Sequence, residues 1–233
     1  MTTQFISDDL QDASIAFFDL DETITDADTD SLWASWRSRR NLKGWVERAW
    51  LSKLYRDFRR GGMSIEEYMR YQKFRIGRLA ADEFRAMGEH FFNDDGRHHV
   101  YREAAELIRR LKGNGCRVVL LTAQHECIAG PYARYLGMDR MIANRFHDDG
   151  VRFTDPVRPY SFGDGKVELG KRYAAEAGIP LDRCAFFGDS IYDAPFLEMV
   201  GFPCAVNPDR LLEARAREKD WPVARFSGTE QAG

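Results

Sequence analysis

The chain has 233 residues, 44% hydrophobic and 30% charged, with a formal net charge of −3. That size suits one compact domain carrying an insertion, or one large domain. No apolar run is long enough to cross a bilayer, and the polar, acidic segment 1–12 does not read as a secretory leader, so a membrane-spanning or exported protein is not expected. Cys116, Cys127, Cys184 and Cys204 are scattered without a C-x-x-C pair, which fits free thiols in a reducing cytoplasm. The charge is uneven: residues 31–80 hold thirteen Lys/Arg against four Asp/Glu, and the acidic excess lies elsewhere, as expected for two parts with different tasks.

In chain order, the apolar run before Asp19 predicts a buried strand that ends in two carboxylates, Asp19 and Asp21. Alternate residues of a strand face one side, so the two are expected near each other, able to hold a divalent cation or to divide nucleophilic and proton-transfer work. An acidic loop after a buried strand is the plainer alternative. A long helical region follows over about 30–92, with apolar spacing through Trp33, Trp36, Trp45 and Trp50, a break at Gly61-Gly62 and a fresh helix capped by Ser64. The tryptophans are expected to form the core of this region and its arginines a solvated face, with a membrane-surface helix or a stacking platform for nucleic acid as the weaker readings.

From there helices and strands alternate. Helices are expected over about 101–112, 127–136, 166–177 and 195–200, and strands over 116–121, 141–143, 184–187 and 203–206, with a hairpin through Asp148-Asp149-Gly150. The polar tail 226–233 is expected to be frayed. The alternation predicts an α/β fold, a Rossmann-like, mostly parallel sheet with helices on both faces. The helical region interrupts it after the first strand. The expected domains are a discontinuous core, 1–27 with 94–233, and a helical cap, 28–93.

Ligands of open α/β sheets bind beyond the carboxyl ends of the strands. Asp19 and Asp21, Thr122, and Asp189 with Asp193 all fall at predicted strand ends, and Lys166 follows a glycine-containing stretch. Their convergence at one edge outweighs the reading of chance acidic loops. His98-His99 lacks spaced partner ligands and reads as a solvated turn. His125, just after Thr122-Ala123, either lines the mouth of the site or sits exposed at a helix start.

Asp19-Leu20-Asp21-Glu22-Thr23, Leu120-Leu121-Thr122-Ala123, Lys166 and Gly188-Asp189-Ser190-Ile191-Tyr192-Asp193 resemble, in order, the four motifs of the haloacid-dehalogenase-like phosphatase superfamily. The insertion after the first motif and Val206-Asn207-Pro208-Asp209 are similar to its phosphoserine-phosphatase-like branch. The resemblance implies a Mg²⁺-dependent phosphomonoester hydrolase working through an aspartyl-phosphate. In it Asp19 is the nucleophile and Asp21 the general acid and base. Thr122, the Ala123 N–H and Lys166 bind the phosphate. The Asp19 and Asp189 carboxylates and the Asp21 carbonyl hold the metal, with Asp193 and Ser190 in support.

The branch uses a glutamate and a cap arginine for the substrate amine and carboxylate. The corresponding positions are Asp28 and Gln72, with Arg75 or Arg70 one slip away, which argues against phosphoserine as the best substrate. Tyr192 departs from the Asn common before the last aspartate. A small phosphorylated substrate is expected, with no nucleic acid partner and no membrane span. The oligomeric state is not specified. The alternatives kept open are a phosphotransferase using the same intermediate, a non-catalytic metal-binding module, and a D-x-D glycosyltransferase, which leaves Lys166 without a role.

Overall fold

The structure is a computed structural model and describes residues 10, 12–58 and 64–229. Its centre is β1 (Ile15–Phe18), four residues buried on both faces, as a run without apolar–polar alternation requires in a parallel sheet. β1 pairs in parallel with β2 (Arg117–His125) on one side and with β6 (Cys184–Gly188) on the other. With β3 (Arg140–Asn144), β7 (Phe202–Val206) and β8 (Val223–Ala224) the order is β3-β2-β1-β6-β7-β8, parallel throughout. The two faces of β1 feed separate cores. Phe18 stacks on Phe187 at 4.3 Å, whereas Phe17 meets Phe196 edge-on at 5.3 Å on the other side.

Four helices fill the interval after β1: α1 (Thr29–Ser38), α2 (Leu42–Phe58), α3 (Ile65–Ile76) and α4 (Ala81–Asp94). Asp28 caps α1 by accepting from Ser31 N, and Ser64 caps α3 by accepting from Glu67 N. Trp33 is fully buried and meets Trp36, Phe84 and Phe91 at 5.4–5.5 Å, so α1 and α4 share an aromatic core. Burial of each such phenylalanine contributes roughly 1.5–3 kcal/mol. Trp50 packs on Phe74, while Trp45 remains exposed. Arg37 departs from the expected solvated face: it is buried 3.6 Å from Glu47. The expected Gly61-Gly62 break lies outside the described residues.

The core continues with α5 (Arg102–Gly113), α6 (Glu126–Tyr135), the hairpin β4 (Phe146–Asp148) and β5 (Phe153–Pro156), and α7 (Asp164–Glu176). It closes with α8 (Ala194–Leu197) and α9 (Arg210–Glu218).

Three further expectations change. β2 runs past Leu121 to His125, because Gln124 and His125 are buried by the helical insertion rather than released into a loop. The α9–β8 unit was not anticipated, since α9 is short and charged and β8 is two residues long. The tail is not frayed over 226–229. Phe226 is buried and its N–H donates to Asn207 Oδ1 at 3.0 Å, while Gly228 N donates to Glu103. Residues 230–233 lie outside the described residues.

Candidate active site

Adjacent parallel strands deliver the site. Asp19 follows β1 directly, and its N–H donates to Phe187 O on β6 at 2.9 Å, which fixes the two strand ends side by side. Asp189 follows β6. Lys166, in the first turn of α7, reaches both Asp19 Oδ1 at 2.9 Å and Asp193 Oδ1 at 2.7 Å. One carboxylate oxygen each from Asp19, Asp189 and Asp193 lies within 4.8 Å of the others. Three hard oxygen donors at that spacing fit a small divalent cation.

Asp21 arrives differently from the strand-alternation argument. β1 stops at Phe18, and Asp21 stands in the turn that follows, its Oδ1 accepting from Thr29 N at the start of α1 at 2.7 Å. The turn, not strand periodicity, brings the two carboxyls to one cleft.

The loop after β6 is braced from several sides. Ser190 and Asp193 form a reciprocal cap: Ser190 Oγ accepts from Tyr192 N, and Asp193 Oδ2 accepts from Ser190 N. Gly188 is needed because a Cβ there would lie 2.6 Å from Asp193 Oδ2. Asp209, the N-cap of α9, donates its N–H to Asp189 O at 2.8 Å and accepts from Ile191 N through Oδ2. Thr23 Oγ1 donates to Asp189 Oδ1 at 3.4 Å.

The floor of the site is under-compensated in charge. Burial, partly offset by Lys166 and reinforced by Asp193, pushes the Asp19 carboxyl up to about 6. Burial and then the charges of Asp19 and Asp30 push Asp21 up to about 8. Asp189 is raised well above the usual carboxylate range by burial and then by Asp193 and Asp19. Burial disfavours the Lys166 charge, but Asp19 and Asp193 outweigh it and hold the ammonium form. One lysine thus faces four carboxyl groups, an arrangement that an incoming cation or a neutral acid relieves.

A cleft of about 550 Å³ opens over this floor, lined by Asp19, Asp21, Lys166 and Asp189 below and by Ala123 and Asp28 at its sides. Thr122 is buried at the bend of β2, with its Oγ1 accepting from Gln124 N at 3.1 Å. Ala123 O accepts from Asn144 Nδ2 at 2.6 Å, which holds that strand end in place.

The other specificity candidates fall elsewhere. Gln72 and Arg75 are fully buried and form a layer behind the cleft wall. Arg75 donates to Asp30, to Gln72 and, at 2.8 Å, to Gln124 Oε1. His125 is neither at the mouth nor exposed. It is fully buried, stacked on Phe146 and edge-on to Phe84, with Nδ1 accepting from Cys127 N to cap α6. Burial holds its pKa well below the ordinary value, so the ring is neutral. His99 pairs with Asp26 at 2.6 Å, a turn contact away from the cleft lining.

Asp30 and Tyr68, which the sequence reading did not single out, line the cleft: Tyr68 OH donates to Asp30 Oδ2 at 2.8 Å. Their signal was only a helix-start acid and a helical tyrosine, common features without a site attached. Among the described residues, no helix is long and apolar enough to cross a membrane.

The family model for haloacid dehalogenase-like hydrolases matches residues 16–198. A protein of Neisseria meningitidis named histidinol-phosphatase is 27% identical over 219 residues, covering 91% of this chain and 99% of its own. A probable phosphatase of Mycobacterium tuberculosis is 42% identical over 128 residues, 55% of this chain. The match spans only 45% of that relative's length. A substrate-bound phosphoserine phosphatase shares the fold at a TM-score of 0.69 and 19% identity, over 91% of this chain and 92% of its own. By its family match the chain belongs to the haloacid dehalogenase-like hydrolases, and it shares its fold with the phosphoserine phosphatase structure.

Proposed function

We propose that the chain is a Mg²⁺-dependent phosphomonoester hydrolase that acts on a small phosphorylated metabolite through an aspartyl-phosphate. The observation that carries this reading is Lys166 bridging Asp19 and Asp193 beside Asp189, at the ends of two adjacent parallel strands. The family match and the phosphatase-named relatives support it.

Phosphoryl transfer needs an in-line nucleophile and neutralised phosphoryl oxygens. An Asp19 oxygen attacks phosphorus and the bond to the ester oxygen breaks. Asp21, held as the neutral acid by burial and by the charge of Asp19, gives its proton to the departing alkoxide. Asp21 then takes a proton from water as the water oxygen attacks phosphorus. Inorganic phosphate leaves and the Asp19 carboxylate returns. In this reading Lys166, Thr122 Oγ1 and the Ala123 N–H bind the phosphoryl oxygens. The donors for Mg²⁺ would be the Asp19 and Asp189 carboxylates and the Asp21 carbonyl, with Asp193 close by. Bound there, the ion would supply charge neutralisation between carboxylate and phosphate. The helices over 28–93 act as the cap that shapes the cleft and excludes water.

The test is phosphate release from a panel of phosphorylated metabolites that includes phosphoserine and histidinol phosphate, with Mg²⁺ or EDTA, for wild type and Asp19→Asn. Selective turnover that needs Mg²⁺ and disappears in the variant is the expected result. Transfer to added alcohols in place of phosphate release would make the chain a phosphotransferase. Absence of turnover with folded, Mg²⁺-binding protein would favour a binding module.

A further inference from the structure

Two cavities share one aromatic wall. The catalytic cleft of about 550 Å³ and a second, more open groove of about 820 Å³ are both lined by Phe162, Gly163, Ile191 and Tyr192. Phe162 and Tyr192 pack on each other, with ring centroids 4.7 Å apart and planes tilted by 38°. Both residues are half-buried, and neither belongs to either hydrophobic core, so their packing adds nothing to the interior of the fold. Local bonds fix the pair instead. Phe162 N donates to Tyr160 O at 2.8 Å and Phe162 O accepts from Gly165 N at 2.9 Å, while Tyr192 N donates to Ser190 Oγ at 3.2 Å. The rings flank the proposed phosphoryl site: Phe162 stands four residues before Lys166, and Tyr192 is next to Asp193, which holds the Lys166 ammonium at 2.7 Å. The other tyrosines of the cleft, Tyr55 and Tyr68, pack against the larger core.

We infer that the alcohol portion of the substrate carries an aromatic or heteroaromatic ring that lies against the Phe162–Tyr192 pair. The inference rests on the hydrolase reading above and deepens it. With the phosphoryl group held at Asp19 and Lys166, the ester's carbon frame leaves the floor along a wall of the cleft, and this pair is the wall beside Lys166. Rings attract one another in offset or edge-on arrangements by more than the area they bury. The adjoining groove already shows a planar group seated on a ring: the Arg158 guanidinium lies over Tyr160, with Cζ 4.6 Å from the ring centroid. Space for a ligand is open at Gly163, where a Cβ would meet no atom within 4 Å and a φ of 50° favours glycine. A three-carbon ester leaves both rings facing water. A ring-bearing ester covers them and has the groove for its far end.

Esters of primary alcohols that differ in the flatness of their ring test this: phenethyl phosphate, cyclohexylethyl phosphate and, without a ring, ethyl phosphate. With Mg²⁺ present, kcat and KM are measured for wild type, Phe162→Leu, Tyr192→Leu and Tyr192→Phe. The cyclohexyl group is the larger and more apolar of the two rings, so burial of apolar area alone favours it or leaves them equal. The phenethyl ester is expected to exceed the cyclohexylethyl ester in kcat/KM by about fivefold or more, chiefly through KM, with ethyl phosphate the poorest. That ratio should fall toward one in each leucine variant and persist in Tyr192→Phe. Equal values in wild type, or a ratio that survives both leucine substitutions, overturns the stacking assignment and leaves the hydrolase reading standing. Release from the metabolite panel with none from the phenethyl ester does the same. No release from these esters or from the panel overturns the hydrolase reading, and this inference with it. Should the leucine variants not fold, the ratios in wild type and Tyr192→Phe decide.

Discussion

Two buried ionic clusters face each other across one cleft, and they are built in opposite ways. At the strand ends a single Lys166 serves Asp19 and Asp193, with Asp21 and Asp189 close by, and the surplus of negative charge raises several carboxyl groups. Behind the cleft wall, Arg75 faces Asp30, and Gln72, Gln124 and Tyr68 take up both Arg75 Nη groups and both Asp30 oxygens, leaving only Arg75 Nε without a partner. The first cluster carries a surplus of negative charge; in the second the charges pair one to one. Buried charge that the protein itself satisfies is architecture, whereas buried charge that it leaves unsatisfied is a place for a ligand.

Asp19→Asn gives the largest effect expected on the open side. Loss of the proposed nucleophile should lower kcat by about 10⁴-fold or more while the protein stays folded, read by phosphate release beside far-UV circular dichroism. The sharpest contrast comes from the same substitution on each side. Asp30→Asn leaves Arg75 buried without its counter-charge and should cost about 3–5 kcal/mol of stability. Asp189→Asn removes a carboxylate that Lys166 offsets only in part, so the metal-free protein should gain about 1 kcal/mol while losing turnover. Denaturant titration of the two variants checks the pair, and equal destabilisation by both would erase the distinction between the clusters.

A smaller effect follows from pH. Asp19 and Asp21 have folded values near 6 and near 8 against an ordinary 3.8, so the folded state binds more protons than the unfolded state in that interval. Stability of the metal-free protein must therefore fall as pH rises from about 4 to about 8. Added Mg²⁺, which needs the ionised carboxylates, should flatten or reverse the slope. Thermal melts across that range with EDTA and with Mg²⁺ decide it. A metal-free melting point that rises over the interval would show that the site is already compensated.

The open cluster was legible in the sequence and the closed one was not, for a physical reason. Asp19, Asp189 and Lys166 sit where strands end or a helix begins, and such positions are marked by the change from an apolar run to glycine and acid. Parallel topology then places them together, so order along the chain was enough. Asp30, Arg75 and Gln124 are joined by the packing of α1, α3 and the end of β2, which no local pattern encodes. Gln72 and Arg75, expected at substrate-contacting positions, are instead buried against one another and Asp30 behind the cleft wall. His125 was misplaced because β2 continues three residues past Thr122, to where Phe84 and Phe146 enclose the ring. The tail was misjudged because its anchor, Phe226, is one aromatic residue in a polar stretch.

The smallest effect comes from a third kind of ion pair in the same helical region. Arg39 and Asp95 are 2.8 Å apart, close to the reach of the buried pairs, but the arginine side chain is more than half exposed. Water screens both partners before and after folding, and holding two flexible side chains in one geometry offsets most of the attraction. Arg39→Ala should change stability by less than about 1 kcal/mol. Raising the salt concentration should shrink even that difference, whereas the loss in Asp30→Asn should persist, because its partner is shielded from ions. Denaturant titrations of both variants at low and high salt make the comparison. If the Arg39 pair proved as costly to break as the Arg75 pair, burial of a matched charge pair could not be what makes the layer behind the cleft structural.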